Sequence, residues 1–167
     1  VRVPDRVRLA LEVLDPQPAD RVLEIGCGPG VAAVLVCERL VDGHLLAVDR
    51  SATAVRRTLD RGADHVRAGR LEVRQASVDE LDLPDASLDA VFAVEVNLFW
   101  TRSPAPELAV PARALRPGGA LHVCYGAGPQ DPARVTGAVT SGLERHGFTD
   151  VRVSADARGL AVSGRRT

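Results

Sequence analysis

The chain has 167 residues, the length of one domain that can bury a hydrophobic core, and residues 1–167 are expected to form a single unit. Hydrophobic residues make up 46% and charged residues 26%, and no apolar run approaches the ~20 residues of a spanning helix, which argues against a helical membrane protein. The net charge is −1 and the basic residues are all Arg, spread among acids rather than gathered into a stripe, which disfavours nucleic acid as a partner.

The start, Val1-Arg2-Val3-Pro4-Asp5, has neither an initiator Met nor the basic-then-apolar layout of a secretory signal, as in a sequence that begins inside a longer chain. Arg6 to Leu14 follows as a short helix with one apolar side, stopped by Pro16 and Pro18. Val22-Leu23-Glu24-Ile25 reads as a strand ended by Gly26, and Pro29 to Leu40 as a helix with Val31, Val34, Leu35 and Leu40 inward. The alternation continues with a strand at Leu45 to Val48, a helix from Ser51 to about Gly69, and strands at Leu71 to Gln75 and Leu88 to Val94. A helix from Pro104 to Leu115 is stopped by Arg116-Pro117-Gly118-Gly119; Ala120 to Tyr125 is the next strand, and Asp131 to His146 a helix ended by Gly147. Val151 to Ser154 and Leu160 to Ser163 close the chain as an antiparallel pair.

Repeated strand-helix units imply a mostly parallel, doubly wound α/β sheet with helices on both faces. In such a fold the ligand crevice lies beyond the carboxyl ends of the strands. Cys27, Cys37 and Cys124 lack CxxC spacing and the four His residues lack helical pairing, so no disulfide framework or metal site is expected. Such thiols suit a reducing cytoplasm.

In Glu24-Ile25-Gly26-Cys27-Gly28-Pro29-Gly30 the glycines permit positive φ and let the backbone approach a ligand, while the following helix N-terminus favours an anionic group. Asp49 ends the next strand, where a doubly wound fold presents a carboxylate to ribose hydroxyls. Turn and acid together point to a nucleoside ligand. Taken alone, the turn could be a tight connection and Asp49 a helix cap.

These segments resemble class I S-adenosylmethionine-dependent methyltransferases, whose Rossmann-like fold carries a seven-stranded sheet with an antiparallel C-terminal strand. Val22 to Gly30 is similar to their first motif, Leu46-Ala47-Val48-Asp49-Arg50-Ser51 to the second, Gln75 to Leu88 to the adenine-site region, and Leu115-Arg116-Pro117-Gly118-Gly119 to the motif after the helix. His146-Gly147-Phe148-Thr149 also matches. The resemblance implies S-adenosyl-L-methionine as cofactor, with Gly26, Cys27, Gly28 and Gly30 around the methionine portion, Glu24 helping to place it, Asp49 on the ribose and Arg50 bordering the adenine. Ser77 and Val78 align with the adenine-edge positions, although the family commonly has Asp where this chain has Ser77; Asp79 is a candidate substitute.

Two alternatives remain at this level. A nicotinamide oxidoreductase would carry GxGxxG rather than GxGxG, and this chain has no Lys beside its single Tyr, Tyr125. A module that binds the cofactor without turnover is compatible with the Ser77 departure.

On the acceptor side, Val91 to Trp100 runs from a buried strand into a loop, so Glu95 and Asn97 are expected at the crevice mouth, as proton acceptor and orienting group, or else as structural caps or cofactor contacts through backbone atoms. Phe99, Trp100 and Tyr125 are candidate walls of the acceptor pocket, or ordinary core aromatics. His122 reads as a structural histidine. No Asn-Pro-Pro-aromatic run and no Pro-Cys pair follows the fourth strand, which disfavours base methylation and leaves a small molecule as the expected acceptor. Nothing in the sequence fixes the oligomeric state.

Overall fold

Pro4 caps the first helix, α1 (Asp5–Leu14), whose Val7, Leu9, Ala10, Leu11 and Leu14 are buried and which ends at Asp15 in the left-handed region. In this computed structural model, which describes residues 2–128 and 130–167, Val1 and Pro129 lie outside the described residues. The next elements are β1 (Arg21–Ile25), α2 (Val31–Arg39), β2 (His44–Asp49), α3 (Ala52–Arg61), α4 (Ala63–Arg67), β3 (Leu71–Gln75) and β4 (Leu88–Val94). After them come α5 (Leu98–Thr101), α6 (Ala105–Ala114), β5 (Leu115–Gly126), α7 (Pro132–Arg145), β6 (Phe148–Asp156) and β7 (Gly159–Arg166).

The seven strands form one sheet in the order β3-β2-β1-β4-β5-β7-β6. Pairings from β3 through β5 are parallel, while β7 runs antiparallel to both β5 and β6. Side chains of alternate strand residues enter opposite cores. Leu23, Ile25, Val91 and Leu121 pack with Leu108 of α6 and Val139 and Leu143 of α7. Val22, Leu45, Ala47 and Phe92 pack with Val7 and Leu11 of α1 and Ala33 and Val36 of α2. Helices on both faces explain why β1 and β2 are nearly continuous apolar runs. Glu24, in phase with Val22, is the exception, and it is placed on the face that carries α1 and α2.

The chain leaves β1 for β2 on one side and returns from β3 to β4 on the other, so the connections diverge between β1 and β4. That divergence opens the crevice expected of a doubly wound sheet.

Three boundaries differ from expectation. The helix expected from Ser51 to Gly69 is broken into α3 and α4 at Gly62, where a Cβ would lie 2.5 Å from Leu71 Cδ2 of β3. Arg116 to Gly119, expected as a break between helix and strand, is drawn into β5: Leu115 already pairs with Leu88, and the register slips before Ala120 meets Ala90. Gly118, at φ 82°, supplies the backbone geometry of that irregularity. The final strands are longer than the patterned cores at Val151–Ser154 and Leu160–Ser163, because β7 is paired along both edges.

His122 of β5 faces Ser163 of β7, with Nδ1 and Oγ 2.7 Å apart. Burial, with a smaller contribution from Arg165, lowers its pKa to about 4. The folded state therefore holds His122 neutral while the unfolded chain takes up a proton near 6.5, so stability is full above that pH and is lost as pH falls towards 4. Denaturant titrations across this window are expected to show stability rising with pH by up to about 1.4 kcal/mol per unit, and His122→Gln to flatten that slope.

Candidate active site

The bend that joins β1 to α2 is built by contacts with its neighbours as much as by its glycines. The Val48 carbonyl of β2 accepts from Gly26 N–H (2.9 Å) and Cys27 N–H (3.0 Å). Asp49 then uses both carboxylate oxygens on backbone: Oδ2 accepts from Gly28 N–H at 3.0 Å and Oδ1 from Ser51 N–H at 2.9 Å. From α3, the Thr58 hydroxyl donates to the Gly28 carbonyl at 3.0 Å, and Arg61 Nε donates to the Pro29 carbonyl at 2.9 Å.

Two glycines of the bend are required for different reasons. Gly30, at φ 82°, lies so close to α3 that a Cβ would sit 2.8 Å from Thr58 Cα. Gly28, at φ 53°, has no atom within 4 Å of where its Cβ would be, and it faces the open crevice. The first is a packing constraint; the second leaves room for a ligand against the backbone.

The crevice has a volume of about 550 Å³. Glu24, Gly26, Cys27 and Gly28 line it from β1 and the bend, Asp49 and Arg50 from β2, Ala76, Ser77 and Val78 from the segment after β3, and Glu95 to Leu98 from the segment after β4. Gly30 is set behind this wall against Thr58.

Glu24 is 2% exposed, and its Oε2 has no hydrogen-bond partner among the described residues. Burial, followed by the nearby Asp49 carboxylate, holds its pKa well above the ordinary value of 4.5. A buried carboxylate with a free oxygen at the wall of a crevice is a site for a cationic or hydrogen-bond-donating ligand group. Burial likewise pushes the Cys27 thiol up to about 11, so it is a packing group rather than a nucleophile.

Glu95 and Asn97 are exposed at the crevice mouth. Glu95 adopts φ 60° and its Oε1 accepts from Gly126 N–H, tying the loop after β4 to the end of β5. Asn97 Oδ1 accepts from Trp100 Nε1 at 3.2 Å, which leaves its amide N–H groups as donors.

The aromatic residues go elsewhere. Phe99 is 2% exposed and belongs to the core on the α6 and α7 face. Trp100 packs beside that core with the Arg134 guanidinium 5.5 Å from its ring centre. Tyr125 donates its hydroxyl to the Val96 carbonyl at 2.7 Å and lines a smaller cavity of about 230 Å³ with Pro132, Val135 and Leu160. None of the three is among the residues lining the larger crevice, because the single turn of α5 directs its rings towards α7 and the Tyr125 hydroxyl is held by a backbone carbonyl.

Asp79 is also absent from that lining; it receives the Ser77 hydroxyl instead. Two lining or supporting residues had no signal of function in the sequence. Thr58 is the buried residue of an otherwise solvent-facing α3, a pattern that marks it once the helix is phased. Glu107 of α6 lines the crevice at 4% exposure yet reads in sequence as an ordinary first-turn acid.

Residues 22–119 match the family model described as a methyltransferase domain. The chain belongs to this family and is an S-adenosylmethionine-dependent methyltransferase domain of class I, which removes the nicotinamide alternative. It is similar to a probable S-adenosylmethionine-dependent methyltransferase of Mycobacterium tuberculosis, 41% identical over 61% of this chain and 34% of the relative. It is also similar to the trans-aconitate 2-methyltransferase of Azoarcus sp. (strain BH72), 32% identical over 71% of this chain and 45% of the relative. The chain thus spans less than half the length of these curated relatives. A solved structure of a SAM-dependent methyltransferase from Aquifex aeolicus shares the fold with a TM-score of 0.76 at 18% identity, covering 96% of this chain and 89% of that one. No helix among the described residues is long and apolar enough to cross a membrane.

The raised pKa of Glu24 has a direct consequence for stability. Above 4.5 the unfolded chain gives up this proton while the folded state retains it, so the contribution of Glu24 is full below that pH and is lost as pH rises towards the folded value. Glu24→Gln is expected to make the ligand-free protein more stable than wild type at pH 8, and equal or less stable at pH 4, by thermal unfolding at both values.

Proposed function

We propose that this chain transfers the methyl group of S-adenosylmethionine to a small-molecule acceptor. The observation that carries the reading is the alignment of a buried carboxyl with an unpartnered oxygen, a glycine bend open to the crevice and a second carboxylate along adjacent strand ends, Glu24, Gly28 and Asp49. This order matches an ammonium, an amino-acid backbone and a ribose.

In this reading Glu24 Oε2 accepts from the ligand's ammonium group. Each Asp49 oxygen already holds one backbone N–H and retains lone pairs for the ribose hydroxyls. The residues therefore fit the group without rearrangement of the bend. The bound donor supplies an activated methyl on a sulfonium, and what the protein adds is alignment. Bringing two reactants into line is worth up to ~7–11 kcal/mol of barrier where the geometry is held.

The acceptor side is built by Glu95 and Asn97. Because Glu95 is committed through Oε1 to Gly126, its first role is to fix the acceptor wall, and its second oxygen is the proton acceptor where the nucleophile must lose one. The free amide N–H groups of Asn97 orient the acceptor's oxygen. A small organic acceptor is favoured by the name of the Azoarcus relative and by a crevice of about 550 Å³, within the ordinary range of small-molecule sites.

Calorimetry with S-adenosylhomocysteine should detect binding by the wild-type protein, and Asp49→Ala should weaken it by roughly ten-fold or more. Unchanged affinity in that variant would overturn the ribose assignment. Methyl transfer itself is tested by incubating labelled donor with a panel of small organic acids and alcohols, where wild type is expected to label a product and Asn97→Ala to slow labelling without altering S-adenosylhomocysteine affinity.

A further inference from the structure

Glu107 stands out as a charge without an evident reason to be buried. It occupies the first turn of α6, where a negative charge favours the helix dipole. That benefit needs no burial, yet the residue is 4% exposed and is one of those that line the crevice. Arg102 grips it in a two-pronged pair, Nη1 to Oε2 at 3.2 Å and Nη2 to Oε1, while remaining about half exposed itself. Arg102 thereby offsets the charge and fixes the rotamer, and each carboxylate oxygen keeps lone pairs free.

The place of Glu107 along the crevice limits what it can meet. On the reading above, the amino-acid end of the ligand lies at Glu24 and Gly28 and the ribose at Asp49, so the base extends beyond the ends of β2 and β3. That end is walled by Ala76, Ser77, Val78 and Leu98, with Glu107 reaching in from α6, which packs on the turn Val78–Glu80. Apolar side chains suit the flat faces of a purine, and its polar edge needs separate partners. Ser77 is spent on its own turn: its hydroxyl donates to Asp79 and its N–H donates to Glu80 at 3.0 Å. Glu107 is the carboxylate that remains at this end.

We infer that Glu107, clamped by Arg102, is the residue that reads the exocyclic amino group of the cofactor's adenine and so sets its preference for a 6-amino over a 6-oxo purine. A carboxylate can only accept, so it favours the amine of adenine and repels the carbonyl of hypoxanthine. This inference rests on the methyl-donor reading of the crevice.

The test is a calorimetric comparison of S-adenosylhomocysteine with S-inosylhomocysteine, which carries a 6-oxo group in place of the amine. Wild type is expected to prefer the adenosyl compound by roughly ten-fold or more. Glu107→Gln keeps the shape and gives the site an N–H donor once its oxygen turns to Arg102, so the preference should collapse or invert, with thermal unfolding reporting that the variant is folded. Equal binding of the two compounds by wild type, or an unchanged ratio in a folded Glu107→Gln, overturns the inference while leaving the donor reading intact. Equal binding by wild type overturns the inference even where the variant does not fold. Failure of wild type to bind either compound overturns both.

Discussion

The bend between β1 and α2 is held in place before any ligand arrives, and the rest of the site takes its geometry from that fact. Glycine alone would make the segment permissive, at a cost in entropy. What makes it rigid is that the end of β2 and the buried face of α3 close on it together: the Val48 carbonyl and the Asp49 carboxylate take its N–H groups, and Thr58 takes its carbonyl. Asp49 therefore has two simultaneous jobs, ordering the bend and facing the crevice. A residue so placed cannot be exchanged without loosening the backbone bend that it holds against the end of β2.

The same rigidity passes to the acceptor side through Val96. A Cβ on Gly26 would lie 2.7 Å from Val96 Cγ2, so the bend and the loop after β4 touch directly. The Val96 carbonyl in turn accepts from the Tyr125 hydroxyl, and Glu95 holds Gly126 N–H. Three consecutive strand ends are thus locked to one another across the point where the sheet connections diverge. For a reaction that depends on lining up two reactants, a short mechanical path between donor and acceptor walls is what the fold has to supply.

Much of this was legible in the sequence because its signals are local. Val22 to Ile25 followed by spaced glycines, and Leu45 to Val48 followed by Asp49, need only a few residues to be read, and both stand where expected. What the sequence hid depends on neighbours distant in the chain. The helical pattern breaks at Gly62, a position where a Cβ would meet Leu71, and the Arg116 to Gly119 run joins β5 because Leu115 meets Leu88. Phe99 and Trp100 are adjacent to the site in sequence yet turned away by the single turn of α5, since large rings go where there is a core to bury them. Glu107 was invisible for the converse reason: its type and position already had a sufficient local explanation, and only its burial shows that a second one is needed.

The charges around the crevice bear on how it works. Asp49, Glu95 and Glu107 face it beside Glu24, whose burial favours the protonated form, against Arg6 and Arg50, and Arg102 already offsets Glu107 from outside the lining. Fixed negative charge cannot accelerate a step in which positive charge fades, because only interactions that strengthen towards the transition state do so. In the proposed reaction, rate must then come from the positioned strand ends, where Gly26, Val96 and Gly126 hold the walls of the crevice to one another.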